Sequence, residues 1–299
     1  MDVAPPSREV IRALLHEQFP HWASEPLDPH PLGAGSDHVM NRLGDDLVLR
    51  FPVRRSAADR LGFERMWLRL VASVLPVRVP TPLAYGSPGY GYPYPWSVGR
   101  FLPGADATTA TITDHHAFAR DLAAAVAALR TLPTREDVVP EALRSPRGRP
   151  LSDRDDEVRA ALADLRADPV AGIDLDAATR VWEDALAAPE HEGPPAWLHG
   201  DLLPGNLLVL DGRLHAVIDF DLLGVGDPAA DLLPAWAVLP ASARATYRDA
   251  LAPEEAAWRR GRGAAVAFGL VALPYHRTRT PALARVAHRT ITEVVAGAG

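Results

Sequence analysis

The spacing of hydrophobic positions predicts strands interleaved with two helices over the first third of the chain and mainly helices after it. Val10, Ile11, Leu14, Leu15 and Phe19 recur at helical spacing behind Ser7, a residue type that caps helix starts, so an amphipathic helix is expected there. Beyond a proline-rich connector, His38 to Leu43 and Leu47 to Phe51 read as strands joined by Gly44-Asp45-Asp46. Gly33-Ala34-Gly35-Ser36 just before them reads as a small-residue turn. Leu61, Met66-Trp67-Leu68, Val71 and Leu75 then form a helical stripe with Ser56 as its cap. Val77 to Tyr85 and Trp96 to Phe101 read as two more strands around SPGYGYPYP, and Leu102-Pro103-Gly104 breaks the pattern.

Helical periodicity dominates from there. Phe118, Leu122, Val126 and Leu129 share one face of an alanine-rich core helix. A stretch rich in Pro, Arg and Glu between Thr131 and Leu151 reads as a loop, and SDRDDEVRAALADLRAD and LDAATRVWEDALAAPE follow as two helices. Ser152 is placed as the cap of the first, whose acidic opening turn (Asp153, Asp155, Asp156, Glu157) suits the helix dipole; a role in binding amines is the weaker reading of those carboxylates. From Pro240 onward three more helices are expected, with Trp258, Phe268 and Leu270 in the core and His276, Arg277 and Arg279 as the polar groups best placed to reach a cleft.

The stretch that carries chemistry runs from His199 to Leu233, HGDLLPGNLLVLDGRLHAVIDFDLLGVGDPAADLL. Asp211-Gly212 between two apolar runs is a strong hairpin signal. Pairing outward from that turn brings Asn206 and Asp219 to the open end of the hairpin together. An amide and a carboxylate converging there suit Mg2+, which takes one or two protein ligands and completes its shell with substrate phosphates. Asp201 precedes the hairpin in a loop held by Pro204 and Gly205, where its carboxylate can face a hydroxyl. Singly, each of these residues reads as a turn or cap residue. Jointly they point to phosphoryl transfer.

HGDLLPGN, then IDFD, then GDPAADL resembles the aminoglycoside phosphotransferase family, antibiotic kinases related in fold to the protein kinases. The resemblance implies an α+β, protein-kinase-like fold: an N-terminal nucleotide-binding lobe over 1–101, a small antiparallel sheet with a helix, and a mostly helical catalytic and acceptor-binding lobe over 102–299. It makes Asp201 the catalytic base and Asn206 and Asp219 the metal ligands. Asp231 becomes a buried brace for the catalytic loop. Asp227, by residue type and with Pro228 after it, reads instead as the N-cap of the following helix. In the first lobe it places Arg50 where a kinase has its phosphate-binding lysine and pairs it with Glu64. Ser36, in the small-residue turn, would donate to phosphates. Main-chain groups at Arg100, Phe101 and Leu102 would bind the purine, with Gly99 behind it leaving room for guanine as well as adenine.

Composition fits without deciding more. A chain of 299 residues with 47% hydrophobic and 23% charged positions suggests one large or two ordinary globular domains. No apolar run approaches a membrane span, and MDVAPPSREV has no basic stretch before an apolar one, so neither a membrane partner nor a signal peptide is expected, and the default location is cytoplasmic. Cysteine is absent, which excludes disulfides and thiol chemistry. There is no lysine, so all 31 Lys and Arg positions are arginine, and Arg50 in the lysine position has a compositional explanation as well as a mechanistic one. The net charge of −7 argues against nucleic acid as a partner and is compatible with a cationic substrate. The expected activity is transfer of a γ-phosphoryl group from ATP, with GTP as the alternative donor, and with Mg2+, to a hydroxyl of a small-molecule acceptor. An aminoglycoside comes first. A macrolide or a metabolic alcohol of choline, homoserine or sugar type comes next, and an inactive nucleotide-binding module last. Oligomeric state is left open.

Overall fold

The computed structural model describes residues 3–34, 37–134 and 143–297. The chain divides into two compact units, Met1–Ser73 with Arg78–Pro103 and Val74–Val77 with Gly104–Gly299.

In the first unit the Ser7 hydroxyl accepts the Val10 amide at 3.3 Å and caps α1 (Arg8–Gln18), which buries Ile11, Leu14 and Leu15. Among the described residues an antiparallel sheet runs in the order β1-β2-β3-β5-β4, from β1 (Gly33–Ala34), β2 (His38–Leu43), β3 (Leu47–Pro52), β4 (Pro82–Gly86) and β5 (Trp96–Arg100). Alternation decides what each face does. Leu47, Leu49 and Phe51 of β3 enter the core, while Val48 and Arg50 fall on the opposite face. The core closes over α1 with Trp96, Tyr92 and Tyr94, and Ala58 joins it from α2 (Arg55–Val74).

The second unit is helical around short strands. It comprises β6 (Ala105–Asp106), α3 (His115–Leu129), α4 (Asp155–Ala167), α5 (Leu175–Leu186), β7 (Ala196–Leu198), β8 (Leu207–Leu210), β9 (Arg213–Val217), β10 (Gly224–Gly226), α6 (Pro234–Ala237), α7 (Ala241–Leu251), α8 (Glu255–His276) and α9 (Pro281–Ala296). α8 is buried along most of its length and packs on α4, α5 and α9. β6 pairs β8, β8 pairs β9, and β10 pairs β7, all antiparallel. No helix among the described residues is long and apolar enough to cross a membrane.

Several local expectations are corrected. The strand expected over Val77 to Tyr85 is confined to Pro82–Gly86, because Pro80 and Pro82 withhold ladder donors from its first half. Gly33 and Ala34 lie in a strand rather than a turn. Ser56 is inside α2, which starts at Arg55. Ser152 belongs to a 3-10 turn, Leu151–Arg154, and its hydroxyl reaches Glu190 instead of capping α4, whose N-cap position, Arg154, makes no side-chain cap bond. The acidic first turn of α4 is nonetheless in place. Part of the loop expected between Thr131 and Leu151, residues 135–142, lies outside the described residues.

Phe51 is fully buried, stacked on Trp96 at 5.0 Å between ring centroids and edge-on to Tyr92 at 5.3 Å. Phe51→Ala is therefore expected to lower the unfolding free energy by about 3–5 kcal/mol, read by urea denaturation with tryptophan fluorescence. A loss under about 1 kcal/mol would mean that this sheet face is not a packed core.

Candidate active site

The site of the second unit is built on the β8–β9 hairpin. Asp211 and Gly212 both have positive φ, 52° and 76°, the geometry of a two-residue hairpin turn that matches strand twist. Leu210 pairs Arg213 and Val209 pairs Leu214, but Leu208 then pairs Ala216, so His215 is an extra residue in β9. This bulge sets the register of the open end. Unbulged pairing would set Asn206 opposite Val217; instead the Ile218 amide donates to the Asn206 carbonyl at 2.9 Å, next to Asp219. Asp219 itself has φ 61°, a left-handed conformation that Asp tolerates better than most residues.

The preceding loop is held from behind. Asp231 is 1% exposed, and its two carboxylate oxygens accept the amides of His199 at 2.8 Å and Gly200 at 2.9 Å. Asp227 caps the turn Pro228–Leu232 that carries Asp231, accepting the Ala229 amide at 2.9 Å, and it is paired with buried Arg260 at 2.6 Å. The His199 ring donates from Nε2 to the Ile218 carbonyl at 3.1 Å and accepts the Asp201 amide at Nδ1, 3.2 Å. Burial lowers the His199 pKa, which keeps this neutral tautomer. Gly200 has φ 80°, and a Cβ there would lie 2.8 Å from the Leu222 carbonyl oxygen, so only glycine fits between His199 and Asp201.

Asn206 gives its amide nitrogen to the Asp201 carbonyl at 2.8 Å and to the Asp201 carboxylate at 2.9 Å. With both protons committed, its Oδ1 is the atom left to meet a cation. Burial raises the Asp201 pKa, and nearby Asp219 adds to the shift; His199, Arg147 and the Asn206 bond act against it. Asp201 opens onto a cavity of about 610 Å³. Its polar lining is Arg147, Arg154, Glu157, Asp164 and His276, and its apolar walls come from the loop, α4 and α8, including Ala160, Leu203, Leu222, Phe268 and Val271. Of the three C-terminal groups expected at a cleft, His276 lines it, whereas Arg277 pairs with Asp168 and Arg279 lies over the Tyr275 ring at 4.2 Å. Asp155 is turned away to Trp182 and Arg159, at 2.8 and 2.9 Å. Arg147, Asp164 and Tyr275 were not singled out from sequence, because neither a motif nor a period marks them.

Among the described residues no cluster of three His, Cys, Asp or Glu side chains is able to hold a metal. Asn206 and Asp219 offer an amide oxygen and a carboxylate, hard donors of the kind that suit Mg2+ completed by phosphate and water rather than zinc.

The first unit holds a separate polar cluster. Arg50 Nη1 contacts Glu64 Oε1 at 2.5 Å, with Glu64 2% exposed, and Arg50 Nη2 lies 3.2 Å from His38 Nδ1. Arg100 ends β5 at the surface and Leu102 follows it outside any strand. The Phe101 amide is committed to the Asp46 carbonyl at 2.7 Å, which withdraws it from the expected purine-binding set. A Cβ on Gly99 would meet nothing closer than 3.7 Å. Ser36 lies outside the described residues.

A small antiparallel sheet with one long helix, followed by a helical unit with HGD, Asn and IDFD around a hairpin, is the protein-kinase-like fold. Residues 28–264 match the model of the phosphotransferase enzyme family, and the chain belongs to that family. The chain shares its fold with the GDP and kanamycin complex of APH(2")-IIIa (17% identity, 97% of this chain and 99% of that one, TM-score 0.70). It shares it also with macrolide 2'-phosphotransferase MphH from Brachybacterium faecium (24%, 92% and 97%, 0.63) and with ADP-bound aminoglycoside phosphotransferase APH(2'')-Ib (15%, 97% and 99%, 0.61). No curated protein sequence matches the chain.

A carboxyl group whose pKa rises on folding binds its proton more tightly in the folded state, so its ionisation opposes folding as pH rises. Asp201→Asn keeps an oxygen acceptor for Asn206 and removes that charge. The variant is expected to be more stable than the parent at neutral pH, with the gain shrinking as pH falls toward about 4, the ordinary aspartate range, and vanishing below it. Thermal melts of the metal-free proteins from about pH 3 to about pH 8 read this directly. A pH-independent difference would remove burial of Asp201 as its cause.

Proposed function

We propose that the chain transfers the γ-phosphoryl group of a nucleoside triphosphate to a hydroxyl of an antibiotic-like small molecule, with Asp201 as general base. The observation that carries this reading is the placement of Asp201: it lines a substrate-sized cavity while Asn206 locks its carboxylate. A carboxyl group with a raised pKa is a better proton acceptor than an ordinary aspartate, and it sits where an acceptor hydroxyl would enter. Asn206 Oδ1 and Asp219 would hold Mg2+, which neutralises phosphate charge when bound. Residues 1–101 serve as the nucleotide-binding lobe and 102–299 as the catalytic and acceptor-binding lobe. Arg50, oriented by Glu64, and the Ser36 hydroxyl bind phosphates, and the Arg100 and Leu102 main chain binds the purine. The open space at Gly99 is compatible with ATP or GTP.

For the acceptor, the lining favours a macrolide-like molecule, with a large apolar body and few charges. Most of the cavity wall is apolar, from Ala160, Leu203, Leu222, Phe268 and Val271, which suits a large apolar body. Glu157 and Asp164 support the second reading, an aminoglycoside, because they offer carboxylates to amines.

Nucleoside diphosphate release with ATP and separately GTP, across macrolides, aminoglycosides and small alcohols, tests the assignment. The expected outcome is release dependent on a macrolide; release confined to aminoglycosides reverses the acceptor choice, and none with any acceptor removes the reading. Asp201→Ala is expected to lower kcat by about 10²–10⁴-fold with nucleotide affinity nearly unchanged. Asp219→Ala is expected instead to abolish the Mg2+ dependence of nucleotide binding in calorimetric titration, and unchanged dependence would remove Asp219 as a ligand.

A further inference from the structure

Arg147 has no assigned role in the residues discussed so far, and its surroundings are unusual for a cation. Among the described residues its guanidinium makes no hydrogen bond and no ion pair, although it is half-buried and lines the cavity with Asp201. The neighbouring cations are engaged: Arg154 with Glu157 at 3.0 Å, and Arg260 with Asp227 at 2.6 Å. Burial, and then Arg154, depress the Arg147 pKa, while Asp201 and Glu157 pull it back. An arginine stays charged even so, and a half-buried guanidinium without a carboxylate is costly unless an oxyanion visits it.

Its backbone is fixed to the segment that follows Asp219. Arg147 sits in the 3-10 turn Pro146–Gly148, whose cap, Ser145, accepts the Arg147 amide at 3.3 Å and donates its hydroxyl to the Leu222 carbonyl at 2.9 Å. The Ser145 amide donates to the Val225 carbonyl at 3.0 Å, and the Gly148 carbonyl accepts the Asp227 amide at 2.9 Å. Ser145 is 1% exposed, so the turn is seated rather than draped over the surface.

We propose that Arg147 is a further catalytic residue, a guanidinium that binds the phosphoryl group as it passes to the acceptor. The proposal rests on the phosphotransferase reading above. The acceptor oxygen forms its bond to the γ-phosphorus as the bond to the β–γ bridging oxygen breaks. The hydroxyl proton goes to Asp201, and the electron pair leaves on the nucleoside diphosphate. Arg147 donates hydrogen bonds to the non-bridging oxygens and exchanges no atoms. Two parallel N–H donors match that group as a compact ammonium does not. An arginine supplied to a transferring phosphoryl group accelerates transfer by about 10³–10⁵-fold in other phosphotransferases.

The test uses the full chain with Mg2+, nucleoside diphosphate and aluminium fluoride, a mimic of the transferring phosphoryl group, followed by calorimetry with and without fluoride. Fluoride is expected to tighten diphosphate binding to the parent protein. Arg147→Gln is expected to bind diphosphate as the parent does and to lose the tightening. In turnover the same variant should lose kcat by about 10³-fold with the nucleotide KM little changed. Added guanidinium ion should restore part of the activity of Arg147→Ala, which a merely structural loss would not allow. Equal tightening in parent and Arg147→Gln overturns the proposal. A rise confined to the KM of carboxylate-bearing acceptors also overturns it, because it assigns the guanidinium to the acceptor. A parent protein that binds no nucleotide overturns the underlying reading and this inference with it.

Discussion

The second unit depends on one carboxylate more than on any other polar group. Asp231 is buried and satisfies two consecutive amides, those of His199 and Gly200, which would otherwise be orphaned donors inside the protein. Each such donor left unpaired costs about 1–3 kcal/mol. The same residue accepts the Tyr247 hydroxyl at its carbonyl, 2.6 Å, and so ties the loop to α7. With those amides fixed, His199 can bridge the Ile218 carbonyl and the Asp201 amide, and Asp201 is held before Asn206 touches it. The two sides of the site are thus joined through a neutral imidazole. A charged ring would donate at both nitrogens, lose its acceptor for the Asp201 amide and loosen the loop.

Sheet register is the second constraint, and it acts through a single inserted residue. The bulge at His215 advances β9 by one position, so that the backbone of Asn206 meets Ile218 rather than Val217. The left-handed turn at Asp219 follows at once. Ile218 is held at both ends, its amide by Asn206 and its carbonyl by His199, which lets the chain sustain an uncommon backbone conformation next to it. Amide, imidazole and carboxylate are therefore placed by backbone bonds, with little left to side-chain freedom.

Much of this was legible because it is local. Asp211-Gly212 dictates its turn chemically, the alternation of LVLRF decides that Arg50 leaves the core, and the GDPAADL spacing puts a cap and a brace four residues apart. What escaped reading depends on distant chain segments. His215 looks like any strand residue, and only the ladder shows it to be extra. Ser152 has the side chain of a cap but is drawn into a 3-10 turn and toward Glu190. The Phe101 amide looks free until β3's preceding turn offers the Asp46 carbonyl. Arg147 lies in an aperiodic Pro- and Arg-rich stretch, where one arginine cannot be told from the next without the fold.

A chain without lysine must distribute its positive charge through a side chain that is planar, bulky and never neutral. The described structure meets this by matching arginines with acidic groups and carbonyls: Arg50 with Glu64, Arg260 with Asp227, Arg213 with Asp121 at 2.7 Å, Arg244 with Glu293 at 2.7 Å. Asp201 departs from that scheme from the acidic side. Its own hydrogen-bond donor is the neutral amide of Asn206, and burial outweighs the attraction of more distant Arg147, so its proton affinity rises instead of falling. A direct arginine pair would have reversed that sign and made Asp201 a poorer base. Keeping Arg147 outside pairing distance of Asp201 therefore preserves the basicity of the carboxylate and the hydrogen-bonding capacity of the guanidinium at once, within the same cavity.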